Sequence, residues 1–458
     1  MRKYAMAVLI ISLIALLGFA FVSTYFQPVD SLIRPPQAEG ENLSIQLAFS
    51  EAVGEDYLLK QPMNGKYRSA YTFIDLTGDK NDEVIVFYSK SNDLGIVRMN
   101  VLDKTDGEWV SVADFQSVHN DIQEIEFADL NGDGTKEIVV GWTAFGESYS
   151  KLITVYQING DKTATHIEPV YVDYYSMFRV ADVDCDGNED ILSLKYATAG
   201  NTAEYTAALI TYDENSVQVK GAFTIDNSIS SVAAVNFDFL EEENIKRIFI
   251  DGHKVDGGMI TDCFLWQEDI NDFERYNVAG VGVSALSSRT SSVLCSDINS
   301  DSLIEVPCEE YLANISTEVP DISNAKTTNN LGPSLINWVS VSEDSAETLE
   351  RHIIMSQYGY SFRFSEKWLG NVSVINDSQK GILTFWSVNI KDGIPQKGKK
   401  LFSIMTITEI DLDTIGEISF TYSQLTQLKG KLYYSKIYDA GVDYGITNKE
   451  IKNRIIAG

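Results

Sequence analysis

The chain has 458 residues, 44% of them hydrophobic, with 36 Lys/Arg against 66 Asp/Glu and a formal net charge of −30. This length predicts two or three domains, and the apolar content is that of a globular protein rather than a disordered one. The acidic balance argues against a nucleic-acid-binding role, which relies on Lys/Arg to neutralise phosphates.

The chain opens with Arg2 and Lys3, and Ala5 to Val22 follow without a charge, apolar apart from Ser12. As a helix this stretch spans about 27 Å, close to the hydrocarbon thickness of a bilayer. It reads as an uncleaved transmembrane anchor with Arg2 and Lys3 inside. The alternative is a cleaved secretory signal, with Gly18-Phe19-Ala20 a poor cleavage site. Either reading exports the chain, so an extracytoplasmic location is expected, anchored to the membrane or secreted. No Cys lies near the end of the segment, which excludes lipid attachment of the bacterial lipoprotein kind.

Residues 23–40, with Pro28, Pro35 and Pro36, read as a linker. Residues 42–53 predict a short amphipathic helix burying Leu43, Leu47 and Val53. Pro62 to Gly65 reads as a turn.

A repeated pattern then begins. Asp129-Leu-Asn-Gly-Asp-Gly-Thr-Lys-Glu-Ile places oxygen side chains at positions one, three, five, seven and nine: Asp129, Asn131, Asp133, Thr135 and Glu137. Hard cations such as Ca²⁺ take six to eight oxygens, and this spacing wraps a short loop around one ion, with Gly134 permitting the sharp turn. The pattern recurs as Asp75, Thr77, Asp79, Asn81 and Glu83; as Asp182, Asp184, Asp186, Asn188 and Asp190; and as Asp297, Asn299, Asp301 and Glu305. The starts at 75, 129 and 182 are 54 and 53 residues apart, and the gap from 182 to 297 is 115, about two units. A degenerate copy is expected midway, where Asn236-Phe237-Asp238 sits. An EF-hand would need a bidentate Glu at position twelve and helices on both sides. Position twelve here is Val86, Val140, Ser193 and Cys308, and β-rich runs flank the loops. The loops therefore join strand to strand.

These four loops and their apolar flanks resemble the FG-GAP/VCBS repeats of integrin-type and bacterial surface β-propellers, over residues 65–357. The resemblance implies a propeller whose loops bind Ca²⁺. The 129 and 182 loops match best, whereas Lys80 and Ser302 replace the position-six Gly in the other two. The dipeptides that name the family are not evident at regular positions.

Each unit carries four short strands separated by polar turns such as Asp106-Gly107, which is the rhythm of a propeller blade. Blade one is predicted near 68–75, 83–89, 95–103 and 108–116. The third strands of the next units contain Leu152–Tyr156, Ala207–Tyr212 and Cys263–Trp266. The expected fold is thus mainly β: a β-propeller over 65–357, five blades favoured and six or seven possible, followed by a small α+β domain. The fifth blade carries an insertion at 311–333, predicted to be a mobile surface loop. Cys295 and Cys308 flank one loop and are read either as a disulfide or as two buried thiols.

Residues 357–458 hold 13 Lys/Arg and 10 Asp/Glu, a net +3, leaving −33 for the remainder. Strands are expected at Ile382–Trp386, Leu401–Ile407 and Lys431–Tyr434, and a closing helix at 448–456. The run Lys397-Gly398-Lys399-Lys400 reads as a solvated hairpin tip, with contact to an anionic surface as the alternative.

The four histidines, His119, His166, His253 and His352, form no zinc-binding pattern, and no nucleophile elbow or phosphate loop is present. Trp142 and Trp266 read as core. The leading expectation is a non-enzymatic, membrane-anchored extracytoplasmic propeller that binds a protein or glycan ligand or acts as a scaffold. An enzyme, with its site on a propeller face or in the C-terminal domain, and a structural envelope or spore-surface protein are the alternatives.

Overall fold

The computed structural model describes residues 40–143, 151–158, 167–199, 202–213, 216–241, 244–315, 332–408 and 421–457. The expected anchor and most of the linker lie outside these residues, as do residues 316–331 of the insertion expected at 311–333. Among the described residues, no helix is long and apolar enough to cross a membrane. The architecture is mainly β, built from antiparallel sheets whose strands follow one another in the chain. Two compact units are distinguished: residues 1–129 with 133–173, and residues 130–132 with 174–458.

The first unit holds two sheets. The first comprises Tyr71–Ile74, Glu83–Lys90, Asp93–Thr105 and Glu108–Gln116, and Tyr57–Lys60 pairs with the far end of Glu83–Lys90. The turn between its last two strands is Asp106-Gly107, and both residues have positive φ. That is the backbone a tight hairpin requires and the reason for Gly there. Glu83–Lys90 is buried on both faces. Val84, Val86 and Tyr88 point one way, while Ile85 and Phe87 point the other, toward Ile125, Ile138, Val140 and Trp142 of the second sheet. The second sheet runs Asp121–Ala128, Glu137–Thr143, Lys151–Ile158 and Ile167–Tyr175.

The helix Glu41–Val53 covers the first sheet, but through other residues than expected. Ile45 and Phe49 are buried, whereas Leu43 is 42% and Leu47 61% exposed. Both sets recur every four residues, so periodicity alone does not separate them. Phe49 decides the matter by packing edge-on against Tyr57, Tyr71 and Tyr88, with centroids 4.8, 6.2 and 5.2 Å away. Val53 packs at the edge of this cluster.

The second unit continues the series. The third sheet runs Met177–Ala181, Asp190–Ala199, Thr202–Asp213 and Ser216–Thr224, and the fourth Ile229–Leu240, Ile245–Lys254, Met259–Gln267 and Asp272–Arg275. The fifth comprises Val306–Tyr311, Ser334–Val341, Ala346–Met355 and Tyr360–Arg363. Neighbouring sheets share cores: third with fourth through Leu192, Ile248 and Trp266, and fourth with fifth through Phe249, Leu265, Val306 and Val339. Full burial of each such side chain contributes roughly 1.5–3 kcal/mol. The linker after the fourth sheet is pinned to it by a buried ion pair, Arg289 to Asp251 at 2.7 Å.

Tyr360–Arg363 lies beyond residue 357, yet it pairs with Ala346–Met355 and extends the fifth sheet. Its free edge is taken by the last strand, Ile455–Ala457. The closing helix is therefore shorter than expected, Asn448–Arg454, because residues 455–457 are drawn into this sheet. The sixth sheet has the order Val372–Asp377, Ile382–Lys391, Ile394–Thr408, Lys431–Ile437, Ser423–Leu428. One core joins it to the fifth through Phe362, Trp368, Phe385, Phe402 and Tyr433. The basic run 397–400 is not a hairpin tip. It lies inside the strand Ile394–Thr408, beyond the Asp392-Gly393 turn.

All four cysteines are free thiols. Of the two readings for Cys295 and Cys308 the structure has unlinked thiols, and burial pushes the Cys308 pKa up to about 11 and that of Cys295 well above its ordinary value.

Candidate metal centre

Each acidic loop leads directly into a strand of its sheet. The 75, 129 and 182 loops connect first strand to second, and Ile74↔Glu83, Ala128↔Glu137 and Ala181↔Asp190 are the last paired residues. At the 297 loop the first strand is reduced to a single bridge, Ser296↔Glu305. No helix flanks any of the four loops.

Two positions in every loop have left-handed backbone. Position four is Gly78, Gly132, Cys185 and Ser300, with φ of 75°, 70°, 60° and 65°. Position six is Lys80, Gly134, Gly187 and Ser302, with φ of 73°, 86°, 97° and 72°. Lys80 and Ser302 thus keep the turn that Gly makes elsewhere, at the strain of a side chain in that region. The requirement at position four was legible in Gly78 and Gly132 but hidden by Cys185 and Ser300.

The position-nine acid anchors the loop. Glu83, Glu137, Asp190 and Glu305 are each 0–1% exposed. Three of these carboxylates accept the position-two backbone N–H: Leu76 to Glu83 at 2.7 Å, Val183 to Asp190 at 2.8 Å and Ile298 to Glu305 at 2.9 Å. Position two itself is apolar and is buried at Leu76, Leu130 and Val183. At Leu76 and Val183 one residue thus plugs the core while its N–H holds the acid. Burial pushes Glu83 and Asp190 up to about 7, opposed by those N–H contacts and reinforced by neighbouring carboxylates.

Positions one and five shape the turn. Asp75 accepts from Gly78 and Lys80, Asp129 from Gly134, and Asp297 from Ser300, Asp301 and Ser302. Asp79, Asp133, Asp186 and Asp301 each accept the N–H two residues on, at Asn81, Thr135, Asn188 and Leu303. Thr77 and Thr135 are buried, whereas Asn131 and Asn299 are not. Asn299 instead donates to Asp301 at 2.8 Å.

The 182 loop goes further. Ligand oxygens of Asp182, Asp184 and Asp190 all lie within 4.8 Å of one another. Oxygens sharing one Ca²⁺ at 2.3–2.6 Å can be no more than about 5 Å apart. Asp182 Oδ1 is buried and has no hydrogen-bond partner. The donor set is all oxygen, so it fits a hard cation. Among the described residues, the acids of the other three loops do not reach this spacing. Lys220, on the fourth strand of the same sheet, reaches Asp184 at 2.6 Å and lies 5.2 Å from the centre of the Trp266 ring. It supplies part of the positive charge that an ion would bring, and sequence spacing gave no sign of it.

The midway copy is placed differently. Asn236 and Asp238 lie within the strand Ile229–Leu240, which pairs with Ile245–Lys254. Asp238 makes a two-pronged pair with Arg247, at 2.9 Å to Nε and 2.5 Å to Nη2, and also accepts the Ile304 N–H. Arg247 donates to the Val341 carbonyl at 2.6 Å. Both side chains of the pair are at most 2% exposed.

No family model matches the chain, and no curated protein matches it. Similar solved structures include a hypothetical protein from Leishmania major, 12% identical over 57% of this chain and 89% of that chain, with a TM-score of 0.24. A B. megaterium levansucrase variant is 11% identical over 64% of this chain and 85% of that one, with a TM-score of 0.21. A GH43 β-1,3-galactosidase is 12% identical over 77% and 75%, with a TM-score of 0.26. At such scores the likeness carries no functional argument.

Proposed function

We propose that the five consecutive sheets over residues 57–363 are blades of an FG-GAP/VCBS-like β-propeller, displayed outside the cell from an N-terminal anchor. The chain binds a protein or glycan partner or acts as a scaffold, and Ca²⁺ stiffens the acidic loops rather than doing chemistry. The observation that carries this reading is the 182 loop: three carboxylates gathered within 4.8 Å, one of them with a buried oxygen lacking a partner. Asp182, Asp184 and Asp190 would hold the ion, with Asp186 and Asn188 beside them. The loops at 75, 129 and 297 repeat the same backbone and the same buried position-nine acid, so they are secondary sites in this reading.

A ligand that binds only the native state must raise its melting temperature. The full chain is expected to melt higher in millimolar Ca²⁺ than in chelator. Equal melting temperatures would leave the loops as turns and end the Ca²⁺ reading.

A further inference from the structure

The strands Ile382–Lys391 and Ile394–Thr408 outrun their neighbours. On one side the last contact is Val388 N–H to the Asn371 carbonyl, and on the other Tyr438 N–H to the Leu401 carbonyl. Residues 389–399 therefore form a two-stranded ribbon whose ladder partners are each other. Four residues a side give it a reach of about 13 Å. Register shifts on both sides of Trp386 bend its base, as bulges do. Gly398 is required there, because a Cβ would meet the Ser387 carbonyl oxygen at 2.7 Å.

The ribbon's composition is graded. Near the tip Ile390 is 65% and Ile394 59% exposed. Lys391 pairs with Ile394 at the tip, Lys397, Lys399 and Lys400 follow toward the base, and Asp392 is the lone acid between 388 and 400. At the base Lys397 and Lys400 lie 4.2 and 5.2 Å from the Trp386 ring centre, and Lys400 and Lys436 each lie 5.4 Å from that of Tyr438. Among the described residues, no carboxylate pairs with Lys397, Lys399, Lys400 or Lys436.

We infer that the ribbon 388–400 is an arm that docks on an anionic lipid surface, with Ile390 and Ile394 entering the headgroup boundary and the lysines meeting lipid phosphates. Apolar tip, cationic collar and aromatic base are the order in which a bilayer presents hydrocarbon, phosphate and interface. The charge of −33 on the rest of the chain would repel such a surface. Screening at physiological salt acts over about 8 Å, less than the arm's reach, so the body's charge is muted at the tip. This contact is additional to the anchor proposed for residues 1–22 and does not rest on it, because the readout sits at residue 390.

The test places a reporter at the tip of the full chain by Ile390→Trp, an exposed position. The change in fluorescence relative to the unsubstituted chain is read in vesicles with brominated acyl chains. With phosphatidylglycerol present, the added tryptophan is expected to be quenched and blue-shifted. Lys397→Gln/Lys399→Gln/Lys400→Gln in the same background should weaken the response on the order of 100-fold, with the melting temperature unchanged. Absence of tip quenching in anionic vesicles, or equal quenching in pure phosphatidylcholine, would overturn the inference. So would a shift with soluble polygalacturonate but not with lipid, which would reassign the arm to acidic glycans.

Discussion

Two neighbouring sheets solve one electrostatic problem in different ways. In the third sheet, Asp182, Asp184 and Asp190 gather at the head of the second strand, and Lys220 reaches one of them. In the fourth, the same region keeps one buried acid, Asp238, and sets a guanidinium against both of its oxygens. The first arrangement leaves a buried oxygen open to a mobile cation. The second builds the cation into the chain, as an arginine on the paired strand. The difference teaches that buried acid at neighbouring sheets can be balanced either by a cation of the chain or by a cluster that leaves room for one from outside.

The comparison breaks most visibly at Arg247. Arg247→Met leaves Asp238 buried beside an apolar side chain, and losing one partner of such a pair costs about 3–5 kcal/mol. A large fall in melting temperature is expected, and the same fall in Ca²⁺ as in chelator. Rescue by Ca²⁺ would mean that the fourth sheet retains an ion site after all.

The next effect is the pH dependence of the metal-free protein. Asp190 and Glu83 titrate near 7 because burial disfavours their charge. The native state then holds protons that the unfolded chain releases at about 4, so this contribution to stability is present at low pH and is lost as pH rises from about 4 to about 7. In the proposed reading Ca²⁺ replaces the protons. The Ca²⁺-induced rise in melting temperature should therefore be larger at pH 8 than at pH 5. A rise independent of pH would mean that these buried acids are not ligands.

The smallest effect is at Lys220. Lys220→Gln removes a competitor from Asp184, and tighter Ca²⁺ binding is expected, on the order of tenfold or about 1.4 kcal/mol. Calorimetric titration checks this, and unchanged affinity would assign the lysine to packing on Trp266.

What was legible in the sequence follows from what is local. The acid spacing, the apolar flanks and Asp106-Gly107 report contacts within a few residues, and each lies where expected. Lys220, Arg247 and the strand Ile455–Ala457 act on residues far along the chain or across a sheet, so no local pattern marks them. The helix at 41–53 was readable as a helix, but its buried face depended on a pocket of three tyrosines from the neighbouring strands. The basic run was misplaced because Asp392-Gly393 makes the turn and the strand continues through it.

The central claim, that the 182 loop holds Ca²⁺ while the fourth sheet needs none, is tested most directly by equilibrium dialysis of the full chain against radioactive Ca²⁺, with Asp190→Asn alongside. The unsubstituted chain should bind Ca²⁺ at millimolar concentration, and the variant should bind one ion fewer. No uptake by the unsubstituted chain, or equal uptake by both, would contradict it.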